Sequence, residues 1–134
     1  MKTIYPKTAV AFALLTFTAG GAAAQDVQGD ASKGKSVFKR CAACHVVDKK
    51  QNRVGPHLVG IVGRPLGAVE KYRYSKSLMK KAEEGVVWNK ENLDAYLKKP
   101  KDFIPRGKMA FAGLRKEKDR ANVIAYLEEA GKEE

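Results

Sequence analysis

Residues 41–45 read CAACH and hold both cysteines of the chain and one of its two histidines. On a helix, Cys41 and Cys44 stand at i and i+3, and His45 at i+4 from Cys41, so the three share one face. Thiols so placed can bond a flat macrocycle at two edge carbons while the imidazole ligates the metal at its centre. C-x-x-C-H is the attachment signature of c-type haem. Two other chemistries use such residues. A thioredoxin-like thiol pair needs a preceding strand and a βαβ setting, and the sequence offers neither. A structural zinc site needs four ligands. Cys41, Cys44, His45 and His57 are the only soft or imidazole candidates after residue 24, and the adjacent Cys44 and His45 would have to converge on one ion.

A haem iron bound through one histidine has a second axial position. Beyond the N-terminal segment the methionines are Met79 and Met109. Met79 lies on the apolar stripe of a short amphipathic segment, where methionine ordinarily fills core. Met109 sits in IPRGKMAFAGL, a Pro/Gly loop that can wrap a prosthetic group and point one side chain inward. It is the better match, with Met79, a lysine, His57 or an open position as the alternatives.

These side chains need elements to hold them. Asp30 suits the N-cap of a helix over Ala31 to Lys39, with Val37 and Phe38 apolar and Gly34 placed for close approach of another element. Val46 to Val69 carries five glycines and prolines up to Pro65, then Gly67, and reads as mostly loop. Ser75 can cap a short helix with Leu78, Met79 and Ala82 on one face, ended by Gly85. Asn89 caps the next, with Trp88 and Leu93 at hydrophobic-staple spacing. Leu93, Tyr96 and Leu97 share its face, and Pro100 stops it. Lys101 to Gly113 reads as another loop. A last helix starts around Glu117 to Asp119, carries Val123, Ile124, Leu127 and Ala130, and closes at Gly131. No repeat and no period-2 strand appears. Three or four helices joined by long loops need something for the loops to pack on.

The chain has 134 residues, which fits one domain. Lys2 and Lys7 precede an uncharged run, TAVAFALLTFTAGGAAA, that ends in small residues. This is the pattern of a secretory signal, predicted over residues 1–24 with cleavage near Ala24. Its strongly apolar part, Ala9 to Ala19, is too short for a membrane anchor, which needs about 20 residues. The domain is then 25–134. Net charge is +11, and the two lysines of the leader bring it to +9. Basic chains often bind nucleic acid; export argues against that and favours acidic proteins, with transient contact to an anionic membrane surface open to it. Outside the cytoplasm two unprotected thiols would oxidise, whereas thioethers do not.

Six stretches, GKSVFKRCAACH, GPHLVGIVGR, YRYS, GVVWNKENLDAYLKKP, IPRGKMAFAGL and NVIAYLEEAG, resemble in order and spacing the class I c-type cytochromes of the mitochondrial cytochrome c and bacterial cytochrome c2 type. The resemblance covers nearly all of Gly29 to Gly131. It implies an all-α cytochrome c fold, three to five helices and long loops wrapped around one covalent haem c. In it Cys41 and Cys44 carry the haem, His45 is the proximal iron ligand and Met109 the distal one. Pro56 supplies the carbonyl for the histidine's other N–H, and Tyr96 bonds near the methionine sulfur. Arg64, Tyr74 and Trp88 meet a buried propionate. Gly34, Phe38, Val123 and Tyr126 form the crossing of the first and last helices. The sequence also departs from the mitochondrial pattern. Gly107 replaces a common threonine and lacks its hydroxyl. Phe38 lies three residues before Cys41, one fewer than usual. His57 replaces an asparagine and reads as a solvated side chain, and Ser75 to Gly85 differs in length.

The function expected is a monomeric periplasmic electron carrier, not an enzyme. It would move one electron at a time between a membrane quinol-oxidising complex and an oxidase, reaction centre or reductase. The alternative is a haem sensor or peroxidase-like protein with a labile distal ligand. Seven basic residues lie between Lys98 and Lys116 against the single Asp102. With Lys39 and Arg40 before the attachment site, Lys98, Lys99, Lys101 and Lys108 are expected to dock an acidic partner surface, while six of the 15 acids gather in Glu117 to Glu134.

Overall fold

The computed structural model describes residues 27–132, so the leader expected over 1–24 lies outside the described residues. Five helices follow in order among the described residues: α1 (Ala31–Phe38), α2 (Lys76–Glu83), α3 (Lys90–Lys98), α4 (Pro100–Phe103) and α5 (Glu117–Ala130). The fold is all-α, and among the described residues the one sheet-like pairing is an isolated bridge between Pro65 and Val87.

Local chemistry starts three of the helices. The side chains of Asp30, Ser75 and Asn89 accept from the backbone N–H of Lys33, Leu78 and Asn92, satisfying amides that have no partner within their own helix. One helix was not expected. Pro100 ends α3, but its fixed φ suits a first helical position, so it also opens the single turn of α4 inside the segment read as loop from Lys101.

The packing is set by α1 against α5. A Cβ at Gly34 would run into the Asn122 carbonyl and the Tyr126 Cβ, so only glycine lets the helices come this close. The Phe38 and Tyr126 rings lie 5.4 Å apart beside the crossing. Asp30 N–H donates to Asn122 Oδ1 at 2.9 Å. The core gathers Phe38, Leu93, Ile104, Leu114, Val123 and Leu127 among others, with Trp88 and Leu93, the staple pair, both buried. Burying one such aliphatic side chain contributes roughly 1.5–3 kcal/mol.

The long loops are fastened by backbone groups rather than by regular structure. Leu58 N–H donates to Val46 O at 2.8 Å, Gly63 N–H to Trp88 O at 2.8 Å and Trp88 N–H to Arg64 O at 2.8 Å. The segment after Met109 returns along α3, where Leu114 N–H donates to Leu97 O at 2.7 Å. Gly113 makes this possible: its φ is 101°, and a Cβ there would meet the Leu97 and Lys98 carbonyls. Arg120 of α5 locks the same segment. It is 4% exposed, its Nε donates to Asp94 Oδ1 at 2.6 Å, and its Nη1 donates to the carbonyls of Leu114 and Arg115 at 3.0 Å each.

Removing that guanidinium leaves buried carbonyls without a donor, which costs about 1–3 kcal/mol. Arg120→Met is therefore expected to lower holoprotein stability by about that much in chemical denaturation followed by circular dichroism, with the loss appearing first in the segment that carries Met109.

Candidate functional site

After α1 the chain continues in turns. Cys41 O accepts from both Cys44 N–H and His45 N–H at 3.0 Å. The CAACH motif therefore sits on a helix-like turn beyond α1. Cys41, Cys44 and His45 all line one cavity of about 580 Å³, within the roughly 300–1,000 Å³ typical of ligand sites. Most of its wall is apolar, with Phe38, Leu58, Leu78, Leu97 and Phe111 among the lining residues.

His45 is held from two sides. Its Nδ1 lies 2.7 Å from Pro56 O, so Nδ1–H donates and Nε2 is the nitrogen left to ligate. Gly55 packs against the ring, and a Cβ there would meet Cε1, Nδ1 and Nε2. Burial pushes the imidazole pKa down, with the Pro56 carbonyl opposing; the neutral form so favoured is the one that binds metals.

Met109 is half-buried and lines the same cavity. Tyr96 O–H donates to its Sδ at 3.7 Å. Burial pushes the Tyr96 phenol up to about 12, so the hydroxyl keeps its proton and remains a donor. The loop around Met109 is tied down by lysines: Lys101 Nζ donates to Gly107 O at 2.9 Å and Lys108 Nζ to Arg73 O at 2.7 Å. Gly107 lines the cavity with backbone alone.

Met79 does not reach the cavity. It is 40% exposed, and its sulfur lies over Gly67; the neighbouring Leu78 takes the inward place. The expectation that Met79 fills core is thus corrected. His57 is also corrected. It is half-buried, with ring Nδ1 out of solvent, its backbone N–H donates to Asn52 Oδ1 at 3.2 Å and its carbonyl accepts from Arg64 Nη2 at 3.0 Å.

Arg64, Tyr74 and Trp88 all line the cavity. Arg64 Nη1 also donates to Val59 O at 2.9 Å. Burial lowers the Arg64 pKa and raises that of Tyr74, each partly opposed by the other. The charged lining consists of Arg40, Arg64, Arg73 and Lys108, and no carboxylate lies among the lining residues. Arg73 and Tyr72 were not singled out from the sequence, because isolated polar residues in a loop follow no period. Of the basic residues expected at a docking face, Arg40 and Lys108 border the cavity, while Lys39, Lys98, Lys99 and Lys101 are exposed without lining it. Lys99 pairs with Asp102 at 3.3 Å on the surface.

Two thiols at attachment spacing, an oriented imidazole, a thioether and cations without acids in an apolar pocket fit an iron porphyrin bearing two carboxylates. Fold and site together define a small all-α protein built around one covalently held haem c. The chain belongs to the cytochrome c family, whose model, described as "Cytochrome c", matches residues 31–131. It is 52% identical over 103 residues to "Cytochrome c type-1" of Ascaris suum, covering 76% of this chain and 89% of that protein. It is 46% identical over 101 residues to "Cytochrome c2" of Agrobacterium tumefaciens (strain II Chrys), covering 75% and 91%. The structure of cytochrome c2 from Rhodospirillum centenum superposes with a TM-score of 0.70 at 38% identity, covering 75% of this chain and 98% of that one. The protein is an electron carrier with redox protein partners, and not an enzyme.

Gly55→Val places atoms where the His45 ring stands. Overpacking of this kind costs about 1–3 kcal/mol, and a displaced ring loses the Pro56 carbonyl. The expected outcome is a lower thermal midpoint and a reduced yield of covalent haem protein, measured by haem staining of denatured samples.

Proposed function

We propose that Cys41 and Cys44 hold the haem by thioether bonds, that His45 and Met109 are the axial iron ligands, and that the protein is an exported periplasmic carrier. Its leader would be residues 1–24, removed near Ala24 to leave the domain 25–134, with electrons passing from a membrane quinol-oxidising complex to a terminal acceptor. The observation that carries this reading is the shared cavity. It presents an imidazole with Nδ1 already committed and a thioether already approached by a hydroxyl, while the other methionine of the described residues, Met79, lies outside it.

When bound, the haem supplies one-electron chemistry between ferric and ferrous iron, with thioether ligation favouring the ferrous state. The protein side chains do the rest. Pro56 fixes the ring plane of His45 and raises the basicity of Nε2. Tyr96 occupies one sulfur lone pair of Met109 and leaves the other for the metal. Arg64, beside Tyr74 and Trp88, offers a half-buried cation whose partial desolvation a carboxylate would offset. Apolar walls keep water and peroxide from the site. Arg40 and Lys108 at the cavity, with Lys39, Lys98, Lys99 and Lys101 beyond it, present positive charge to acidic membrane complexes. Such encounters are small and transient, so charge steering matters more than buried area. The working unit is a monomer, without nucleic acid.

Met109→Ala is expected to open the iron to imidazole or azide, abolish the ferric iron–sulfur charge-transfer absorption and lower the reduction potential; Met79→Leu is expected to do none of these. Equal behaviour of the two variants would remove Met109 from its role.

Association with the physiological partner is expected to slow as ionic strength rises through a Debye length of about 10 Å near 0.1 M. Lys108→Glu should slow electron transfer more than Lys132→Glu, whose lysine pairs with Glu128 at 3.8 Å. Stopped-flow kinetics that are flat in salt, or equal for the two variants, would make the basic face ordinary surface.

A further inference from the structure

Tyr96 reaches Met109 across a long, weak contact. An O–H···S distance of 3.7 Å leaves little room for error, because hydrogen bonds weaken steeply with misalignment. A small tilt of the Tyr96 ring removes it. What holds that ring is therefore part of how the distal side works.

Three aromatic rings support one another there. The Trp88 and Tyr96 centroids lie 5.0 Å apart. Phe103 stands 5.9 Å from Tyr96, nearly edge to face, and 6.0 Å from Trp88, more nearly stacked. These separations fall in the range where aromatic pairs are favourable beyond the area they bury. Tyr96 and Trp88 line the cavity, whereas Phe103 does not; it stands behind them. Phe103 is the last residue of α4, a single turn with no side-chain cap, so the helix alone is a weak support for its ring.

The support comes from α2. Lys81 Nζ lies 4.7 Å from the Phe103 ring centroid, within the distance of a cation–π contact. α2 buries no residue, and its backbone packs closely against no other described helix. The Lys81 side chain thus spans from α2 to the aromatic group. The adjacent Lys80 is exposed and serves as an internal control of equal charge.

We propose that Lys81 and Phe103 are positioning residues for Met109, acting through the Tyr96 ring: the lysine fixes Phe103, Phe103 and Trp88 fix Tyr96, and the Tyr96 hydroxyl fixes the sulfur. The inference rests on Met109 being the distal ligand. It assigns to α2, whose sequence departs from the mitochondrial pattern, a part in setting how tightly the iron keeps that ligand.

The test is displacement of the distal ligand by imidazole, a neutral probe, in the ferric holoprotein, read from the iron–sulfur charge-transfer band. Lys81→Met is expected to tighten imidazole binding by roughly two- to fivefold, the factor that an exposed cation–π contact is worth. Phe103→Leu should tighten it at least as much, and Lys81→Arg and Phe103→Tyr should stay near the parent. Lys80→Met, which removes the same charge, should leave binding unchanged. If Lys81→Met binds like the parent, or if Lys80→Met matches Lys81→Met, the inference is overturned, whether or not Phe103→Leu folds. Met109→Ala separates the two levels: a band that survives in Met109→Ala sinks the ligand assignment itself, whereas a band lost there but unmoved by Lys81→Met sinks only the positioning role.

Discussion

The fold depends on a prosthetic group packed at its centre. Helices α1, α2, α3 and α5 and the loops between them surround about 580 Å³ of mostly apolar space. Left to water, that apolar lining would forgo the burial that stabilises an ordinary core. The prosthetic group is therefore the central part of the core as well as the redox centre. The loops over Val46 to Val69 and Lys101 to Gly113 make sense in that light, because Leu58 and Ile61 of the first and Met109 and Phe111 of the second line that space.

Much of the site was legible because the chemistry is local. Cys41, Cys44 and His45 are fixed by spacing alone, and the caps at Asp30, Ser75 and Asn89 read from three residues to the next. Other parts were legible only through resemblance. The His45–Pro56 bond, the Tyr96–Met109 contact and the Gly34 crossing need a fold before the partners can be named. What stayed hidden has its partners far away in sequence: Arg120 with Asp94 across 26 positions, Lys108 with the Arg73 carbonyl across 35. Periodicity also fails between neighbours on a short helix. It placed both Leu78 and Met79 on the apolar face of α2, and packing chose Leu78. Pro100 was read as a stop, yet the same fixed dihedral that ends α3 starts α4.

Charge is sorted in two layers. Around the cavity Arg40, Arg64, Arg73 and Lys108 meet no carboxylate among the lining residues; of these only Arg64 is half-buried, and its desolvation is the one an anionic group would offset. On the outer surface cations are spent differently. Lys99 is paired with Asp102, Lys101 donates to the Gly107 carbonyl, and Lys90 pairs with Glu128 at 2.8 Å, while Lys108 at the cavity edge also donates to the Arg73 carbonyl. Several basic residues that a charge count assigns to partners thus also have structural duties at home.

The crossing of α1 and α5 joins segments about ninety residues apart; its Asp30–Asn122 bond spans 92 positions. Closing a flexible chain over that length costs roughly 4 kcal/mol of entropy by the (3/2)RT ln n rule, before its constant term. Once this clasp has closed, every later contact completes a shorter circuit inside a chain that is already a ring. A single break in one of the long loops would then leave two pieces whose outermost helices still hold each other, so the integrity of the molecule rests on topology as much as on covalent continuity.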